Sequence, residues 1–232
     1  MKAILLDALG TLVGIEPPWG PLVDLLSERH GVVVAEKDVV RALRAEMAYY
    51  RAHCQSASDA ASLAALREAC AGVLAGELGD AAAGVDLGDL TPTLLDAIRF
   101  AAYPEVPAVL QRLRSGGVRL IVVSNWDVSL TDALAQAGIA PLLDGIVCSA
   151  AVGAAKPAAA VFRAGLALAG VPAEHAVHVG DSYDEDVAGA RAAGIEPVLL
   201  ARTDAAGLIA PGAGEPRDDV RTIVSLAALV DP

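Results

Sequence analysis

Five short apolar runs constrain the fold of this chain more than any other feature of its sequence. Each has the length of a β-strand and is apolar at nearly every position, without the alternation of a half-exposed strand. The runs cover residues 3–6, 118–123, 146–148, 176–179 and 197–200. Continuous apolar character is typical of strands that are buried on both faces, as in a parallel sheet. The sequence therefore predicts a buried sheet of parallel strands.

Segments with the apolar spacing of helices separate these strands. They cover residues 105–115, 129–137, 158–169 and 184–193. A glycine follows each segment, and glycine is the residue that most often ends a helix. These glycines are Gly116, Gly138, Gly170 and Gly194. The alternation of strand and helix predicts a doubly wound α/β core with a parallel sheet.

Residues 15–100 interrupt this alternation. Apolar and polar residues there follow helical spacing over 20–30, 36–53, 57–78 and 89–101, and the single strand-like run is "GVVV" at 31–34. We interpret this stretch as an α-helical insert. The α/β core is then built from two segments, 1–14 and 101–232, on either side of it.

Composition limits the partners of the chain. Seventeen basic and twenty-nine acidic residues give a net charge of -12, which repels nucleic acids and anionic membrane surfaces. The three cysteines lack CxxC spacing, as expected of reduced thiols in the cytosol. The N-terminus does not read as a signal peptide, and no uncharged apolar run is long enough to cross a membrane. These features predict a cytoplasmic protein that binds neither nucleic acid nor membrane.

Polar residues follow four of the five predicted strands. Asp7 follows the first, Ser124 and Asn125 follow the second, and Asp181 follows the fourth, while the loop after the third leads to Lys156. Ligands of open α/β sheets bind beyond the carboxyl ends of the strands, so these side chains should converge. Carboxylates, an amide, a hydroxyl and a cation together suit an oxyanion substrate with a divalent cation. Hard oxygen ligands favour Mg²⁺ for that cation.

Four sequence motifs carry a resemblance to a known family. "DALGTL" begins at Asp7, and "VVSNWD", "AAKPAAAVF" and "VGDSYDEDVAGARAAG" follow it along the chain. In order and spacing these segments resemble the four motifs of the haloacid dehalogenase superfamily. The helical insert is similar to the cap of that family. The resemblance implies a hydrolase with a Rossmann-like core and a helical cap.

The resemblance also implies roles for the residues that follow the strands. Asp7 would be the nucleophile, attacking phosphorus or carbon to form an aspartyl intermediate. Ser124 and Asn125 would hold the oxygens of the transferred group. Lys156 would shield Asp7 from the negative charge of the substrate.

The metal site implied by the resemblance uses carboxylates from the first and last motifs. Asp7, Asp181 and Asp186 would form the Mg²⁺ site, in which Asp186 would also orient the other ligands. Gly10 and Thr11 are also expected to contribute to substrate binding. Gly10 would allow the backbone to turn sharply after Asp7, and the Thr11 side chain would bond back to that turn. The substrate implied is a small phosphorylated metabolite, either a phosphate ester or an acyl phosphate.

Leu9 departs from the pattern of the phosphatases in this superfamily. They usually carry a second aspartate at this position, which protonates the leaving group and then activates water, while its backbone carbonyl binds the metal. Leucine keeps the carbonyl and lacks the acid. General acid–base catalysis typically raises the rate by about 10²–10⁴-fold. Without it, alkyl phosphates should turn over slowly, whereas the rates for aryl or acyl phosphates should fall less.

Leu9 leaves three functions open. Relatives that act on 2-haloacids also lack the second acid, because halide leaves without a proton, and their first motif resembles "DALGT". The carboxylates of "GDSYDED", however, favour a metal-dependent phosphatase. A ligand-binding protein with little turnover on the same scaffold is the third reading.

Four further residues lie in or near the motifs, and one of them, Asp127, has two interpretations. Asp127 could cap the next helix, or it could reach the site and replace the missing acid. His178 lies within a strand pattern and is interpreted as buried structure. For Asp184 and Glu185 we expect a role in the first turn of a helix, where acids are favoured.

Overall fold

A computed structural model describes residues 1–202 and 216–230 of the chain. The chain divides into two compact units. One consists of Met1–Gly14 together with Phe100–Pro232, and the other of Ile15–Arg99. The second unit is thus inserted in sequence between the two segments of the first.

The first unit contains a sheet of six parallel strands within the described residues. In spatial order the strands are β5 (Gly145–Cys148), β4 (Arg119–Ser124), β1 (Ala3–Leu6), β6 (Ala176–Gly180), β7 (Glu196–Leu200) and β8 (Arg221–Ile223). β1 lies between β4 and β6, and Leu6 pairs with Val122 on one side and Val179 on the other. The five predicted strands are confirmed to within two residues at each end. β8 was not predicted, because three residues with one buried side chain give no recognisable apolar run.

The sheet is buried on both faces, as the continuous apolar runs predict. Alternate residues of β1 belong to different apolar clusters: Ile4 and Leu6 to one, Ala3 and Leu5 to the other. The helices that surround the sheet are α5 (Val106–Ser115), α6 (Leu130–Gln136), α7 (Ser149–Val152), α8 (Ala159–Ala169) and α9 (Ala188–Ala192). The doubly wound parallel α/β core is therefore confirmed.

The predicted helix over 184–193 begins differently from expectation. Residues Tyr183–Val187 form a wider π-type turn, and the regular helix α9 occupies only Ala188–Ala192. Such turns frequently lie at functional sites, because they aim side chains differently from a regular helix. Here the wide turn contains the last motif carboxylate, Asp186.

The second unit is helical. Its helices are α1 (Trp19–His30), α2 (Glu36–His53), α3 (Ala60–Leu78) and α4 (Leu87–Ala97). They enclose an apolar cluster of their own, in which Leu26, Leu43 and Leu74 are fully or almost fully buried. The strand-like run 31–34 forms no strand, because Gly31 ends α1 in a left-handed conformation and Val33 is 84% exposed.

The helix predicted over 89–101 extends too far. α4 ends at Ala97, and Phe100–Ala102 form a short strand, β3, which pairs with β2 (Val13–Ile15). The pairing partner of β3 lies more than eighty positions earlier in the sequence, so local apolar spacing gave no sign of it.

The described residues contain no candidate membrane-spanning helix. None of their helices combines the length and the apolar content needed to cross a bilayer.

Candidate active site

The motif residues of the first unit lie at the carboxyl ends of adjacent strands. Asp7 directly follows the central strand β1, and its backbone N–H donates to the carbonyl of Val179 at 2.9 Å. Ser124 ends β4 on one side, and Asp181 directly follows β6 on the other. Because β4 and β6 both pair with β1, the fold brings these three side chains together. Asp7, Ser124 and Asp181 are all buried.

Lys156 joins two of the carboxylates. Its Nζ lies 2.5 Å from Asp7 Oδ1 and 2.6 Å from Asp186 Oδ1, and all three side chains are at least 90% buried. Ser124 Oγ donates to the same Asp7 Oδ1 at 2.9 Å. No donor among the described residues contacts Asp7 Oδ2. One oxygen of Asp7 is therefore held by the protein, and the other remains available to an incoming group.

Acidic groups outnumber basic groups in the cluster of Asp7, Asp181, Asp186 and Lys156. Burial acts to lower the pKa of Lys156, but Asp186 and Asp7 more than offset this and raise its pKa, so it is an ammonium. Burial raises the pKa of Asp181 to about 8, and the charges of Asp7 and Asp186 add to the effect. Burial also raises the pKa of Asp7, against the opposing charge of Lys156. Three carboxyl groups thus lie around one ammonium group, and burial favours the protonated form of two of them, Asp7 and Asp181.

These carboxylates fit a divalent cation. One oxygen from each of Asp7, Asp181 and Asp186 can be chosen so that all three lie within 4.8 Å of one another. Asp181 Oδ2 is buried and has no hydrogen-bond partner among the described residues. Buried polar atoms are nearly always satisfied, so an unpartnered carboxylate oxygen beside two other acids is suited to a bound cation.

The backbone after Asp7 turns as the sequence predicts. Gly10 has φ 84, a left-handed conformation that favours glycine, and its N–H donates to the carbonyl of Val13 at 2.9 Å. The expectation that the Thr11 side chain bonds back to this turn is wrong. Thr11 is fully buried, and its hydroxyl has no hydrogen-bond partner within 1–202 and 216–230.

Leu9 brings no polar side chain to the site. It is half-buried and packs against the apolar cluster that contains Ile4 and Leu6. Its backbone forms an isolated bridge with Val13 within the same turn. The position thus offers a carbonyl oxygen and an alkyl group.

The side chain of Asn125 has partners that the resemblance does not imply. Its Oδ1 accepts from the backbone N–H of Lys156 at 2.7 Å, and its Nδ2 donates to the carbonyl of Lys156 at 3.1 Å. Nδ2 also donates to Glu185 Oε2 at 2.9 Å. With both amide hydrogens occupied, this side chain holds the backbone of Lys156 and has no donor left for a substrate oxygen.

Asp186 is held by three donors. Oδ1 accepts from Lys156 Nζ and lies 2.8 Å from His178 Nε2, and Oδ2 accepts from the backbone N–H of Ser182 at 3.0 Å. Although burial acts to raise its pKa, the charge of Lys156 and the hydrogen bond with His178 lower the pKa of Asp186 well below its usual range. The contact with His178 was not predicted. Its only sequence signal is an imidazole inside an otherwise apolar strand.

The remaining acids near the motifs have other contacts. Asp127 Oδ1 accepts from the backbone N–H of Ser129 at 2.6 Å, an interaction typical of a turn that leads into a helix. Asp184 is exposed in the wide turn, where Ser182 Oγ accepts from the backbone N–H of Glu185 at 3.3 Å. The bond from Ser129 favours the structural interpretation of Asp127.

Gly180 should be essential to this arrangement. A Cβ at this position would lie 2.1 Å from Asp186 Cγ, and Asp186 cannot move away without losing its three donors. We expect Gly180→Ala to destabilise the fold by about 1–3 kcal/mol, as overpacking does, and to reduce turnover. Urea unfolding and steady-state kinetics measure the two effects.

Gly76→Ala is the matched control for this substitution. Gly76 is an exposed residue of α3 with no atom within 4 Å of the position of an added Cβ. Alanine should stabilise the helix there by about 0.5–1 kcal/mol and leave turnover unchanged. Full activity of Gly180→Ala would show that Asp186 tolerates displacement.

Comparisons with known proteins identify the family of this chain. The model of a hydrolase family, the haloacid dehalogenase-like hydrolases, matches residues 1–194. A mouse protein named haloacid dehalogenase-like hydrolase domain-containing protein 3 is 31% identical over 88% of this chain and 83% of its own length. Its Xenopus laevis namesake is 36% identical, but the match covers 45% of this chain and 43% of that protein. A phosphoserine phosphatase of Thermus thermophilus is 37% identical over 45% of this chain and 42% of its own length.

Solved structures show the same fold. A haloacid dehalogenase-superfamily phosphatase of Thermococcus onnurineus aligns over 100% of this chain and 97% of its own, with a TM-score of 0.62 and 23% identity. L-2-haloacid dehalogenase of Xanthobacter autotrophicus aligns over 99% and 96%, with a TM-score of 0.66 and 20% identity. The strands and helices thus follow the order found in these enzymes, and the family model spans all four sequence motifs. This chain belongs to the haloacid dehalogenase-like hydrolases.

Proposed function

We propose that this hydrolase is an Mg²⁺-dependent phosphatase of a small phosphorylated metabolite. The observation that carries the proposal is the buried cluster of Asp7, Asp181 and Asp186 around Lys156, in which acids outnumber cations. A halide displacement needs the nucleophile and no excess of carboxylates. The Thermus thermophilus relative, named as a phosphoserine phosphatase, supports phosphoryl chemistry.

Asp7 is the nucleophile in this proposal. Its Oδ2 attacks phosphorus, the bond from phosphorus to the leaving oxygen breaks, and an aspartyl-phosphate forms on Asp7. Water then attacks that phosphorus and regenerates the carboxylate, releasing phosphate. Before the substrate arrives, Ser124 and Lys156 hold Oδ1, so the orientation of the carboxylate is set in advance.

The other residues stabilise charge. Lys156 is a fixed ammonium 2.5 Å from Asp7 Oδ1, so it reduces repulsion between the nucleophile and an anionic phosphate. Ser124 is placed to donate to an oxygen of the transferred group when it releases Asp7. Asp7, Asp181, Asp186 and the Leu9 carbonyl would hold Mg²⁺. When bound, this ion neutralises negative charge that develops on the phosphoryl oxygens.

Leu9 determines which substrates turn over well. An alkoxide leaving group needs a proton, and the alkyl side chain of Leu9 offers none. Phenolates and carboxylates leave without one, so aryl and acyl phosphates should be the better substrates. The helical insert, Ile15–Arg99, would be the cap that selects among them, as its similarity to the cap of the family suggests.

Dehalogenation is the second candidate. The observation that favours it is Leu9, since displacement of halide by Asp7 Oδ2 requires no general acid. In that reaction a carbon–halogen bond breaks, an ester forms on Asp7, and water hydrolyses the ester. Chloride release from 2-chloropropionate in the presence of EDTA would identify this activity.

Removal of the metal tests the phosphatase directly. Hydrolysis of an aryl phosphate should cease in EDTA and return with excess Mg²⁺. Mg²⁺ at about 100 times its Kd should also stabilise the folded protein by about 2.7 kcal/mol, which thermal unfolding would detect as a higher Tm. Hydrolysis that persists in EDTA would contradict the role of the carboxylate cluster.

A further inference from the structure

A buried imidazole contacts the carboxylate cluster from within the sheet. His178 is fully buried in β6, and its Nε2 lies 2.8 Å from Asp186 Oδ1. Lys156 Nζ donates to the same oxygen at 2.6 Å. Because an ionised carboxylate only accepts hydrogen bonds, Nε2 carries the proton and donates to Asp186. His178 and Lys156 therefore share one acceptor.

Packing fixes the position of this imidazole. Phe162 meets the ring of His178 edge to face, with centroids 4.9 Å apart and planes at 85°. Phe162 is fully buried. Its ring fits against Gly189 because that residue has no side chain: a Cβ at Gly189 would lie 2.4 Å from Phe162 Cε2. The donor that His178 offers to Asp186 is therefore held in place by the core.

The needs of the core do not explain a histidine at this position. Its neighbours in β6, Val177 and Val179, are apolar, and all five residues of the strand are buried. Nδ1 of His178 is buried without a hydrogen-bond partner among the described residues. Burying a polar atom without a partner is unfavourable, so an apolar side chain would suit the strand better. What His178 adds is the hydrogen bond to Asp186.

We propose that His178 is a positioning residue, which fixes the carboxylate of Asp186 and, through their shared oxygen, the ammonium of Lys156. The inference rests on the proposed function, in which Asp186 and Lys156 organise the metal and the nucleophile. His178 and Lys156 hold Oδ1, and the backbone N–H of Ser182 holds Oδ2 at 3.0 Å. Without His178, the carboxylate is free to turn about its remaining bonds, and the cation site loses its preset geometry.

Metal affinity is the first readout of this role. His178→Leu removes the donor and keeps an apolar side chain, whereas His178→Gln keeps an N–H that can reach Asp186. We expect His178→Leu to weaken Mg²⁺ binding by about 10–100-fold, as loss of a residue that orients a metal ligand does. His178→Gln should recover most of the affinity. Calorimetric titration of the full chain with Mg²⁺, without substrate, measures both.

Val161→Ala is the control for lost packing. Val161 is fully buried in the same apolar cluster as Phe162 and makes no side-chain hydrogen bond. This variant should lower the Tm and leave the Mg²⁺ affinity unchanged. Wild-type affinity in His178→Leu, an equal loss in Val161→Ala, or failure of His178→Gln to recover affinity would each overturn the proposal.

A metal-free measurement separates this proposal from the proposed function. In imidazole ¹H–¹⁵N spectra without Mg²⁺, one of the four histidines should show a slowly exchanging Nε2–H. This signal should be absent from His178→Gln and shifted in Asp186→Asn. If the wild type binds no Mg²⁺, the proposed metal centre fails, and this proton alone decides whether His178 holds Asp186. A signal unaffected by Asp186→Asn would show that it does not.

Discussion

Replacing Asp7 by asparagine should abolish turnover on every substrate class. Asparagine has nearly the same shape, and its Oδ1 can still accept from Ser124 and Lys156, so the fold should survive. The nucleophilic oxygen is replaced by an amide nitrogen that cannot form the covalent intermediate. We expect kcat to fall by about 10⁴–10⁶-fold, the scale on which removal of a covalent nucleophile acts. Steady-state assays with aryl phosphate and 2-chloropropionate measure this.

Asp184→Asn is the control for this substitution. Asp184 also carries a carboxylate in the last motif, but it is exposed in the wide turn and takes no part in the cluster. Its variant should retain wild-type kcat, which separates loss of the nucleophile from loss of net charge. Phosphate release by Asp7→Asn at the wild-type rate would rule out an aspartyl-phosphate on Asp7, and chloride release at that rate would rule out an ester there.

Replacing Leu9 by aspartate should increase the turnover of alkyl phosphates. The new carboxyl group can protonate the leaving alkoxide and then take a proton from the attacking water. General acid–base catalysis contributes about 10²–10⁴-fold, so kcat for an alkyl phosphate should rise by up to that factor. Aryl phosphates, whose leaving groups need no proton, should gain much less. The ratio of kcat/KM for the two substrate classes reports the change.

Leu9→Asn tests whether the acid itself is responsible. Asparagine changes the size and polarity of the side chain in the same way, and both substitutions disturb the packing of Leu9 against the apolar cluster. It cannot transfer a proton, so the ratio of alkyl to aryl turnover should stay at the wild-type value. An equal gain in both variants would refute the account of Leu9 as a missing acid.

Local sequence pattern was sufficient for most of the fold. The run 3–6 is apolar throughout because alternate side chains enter two different clusters, and such a strand can be recognised without knowing its neighbours. Phe100–Ala102 could not be recognised in this way. The alanines there continue the helical pattern of α4, and only pairing with Val13–Ile15 makes the segment a strand.

The candidate site was predictable to the extent that its residues lie in the four motifs. Asp7, Lys156, Asp181 and Asp186 occupy one buried cluster, as the ends of parallel strands require. The partners of Asn125 were not predictable, since its amide binds the backbone of a residue 31 positions away. The contact of His178 with Asp186 depends equally on tertiary structure. Residue type indicates what a side chain can bind, and only the fold determines which group it meets.

The chain enters the helical insert through β2 and leaves it through β3, and these two strands lie side by side. β2 and β3 pair with each other, and the backbone N–H of Glu16 donates to the carbonyl of Arg99 at 2.9 Å, at the two ends of the insert. A module whose ends already meet can be lengthened, shortened or exchanged without separating the strands that bear Asp7 and Asp181, since the cost of loop closure grows slowly with length. In the function proposed above, such an attachment would allow substrate preference to change through the insert while the carboxylates of the cluster stay in place.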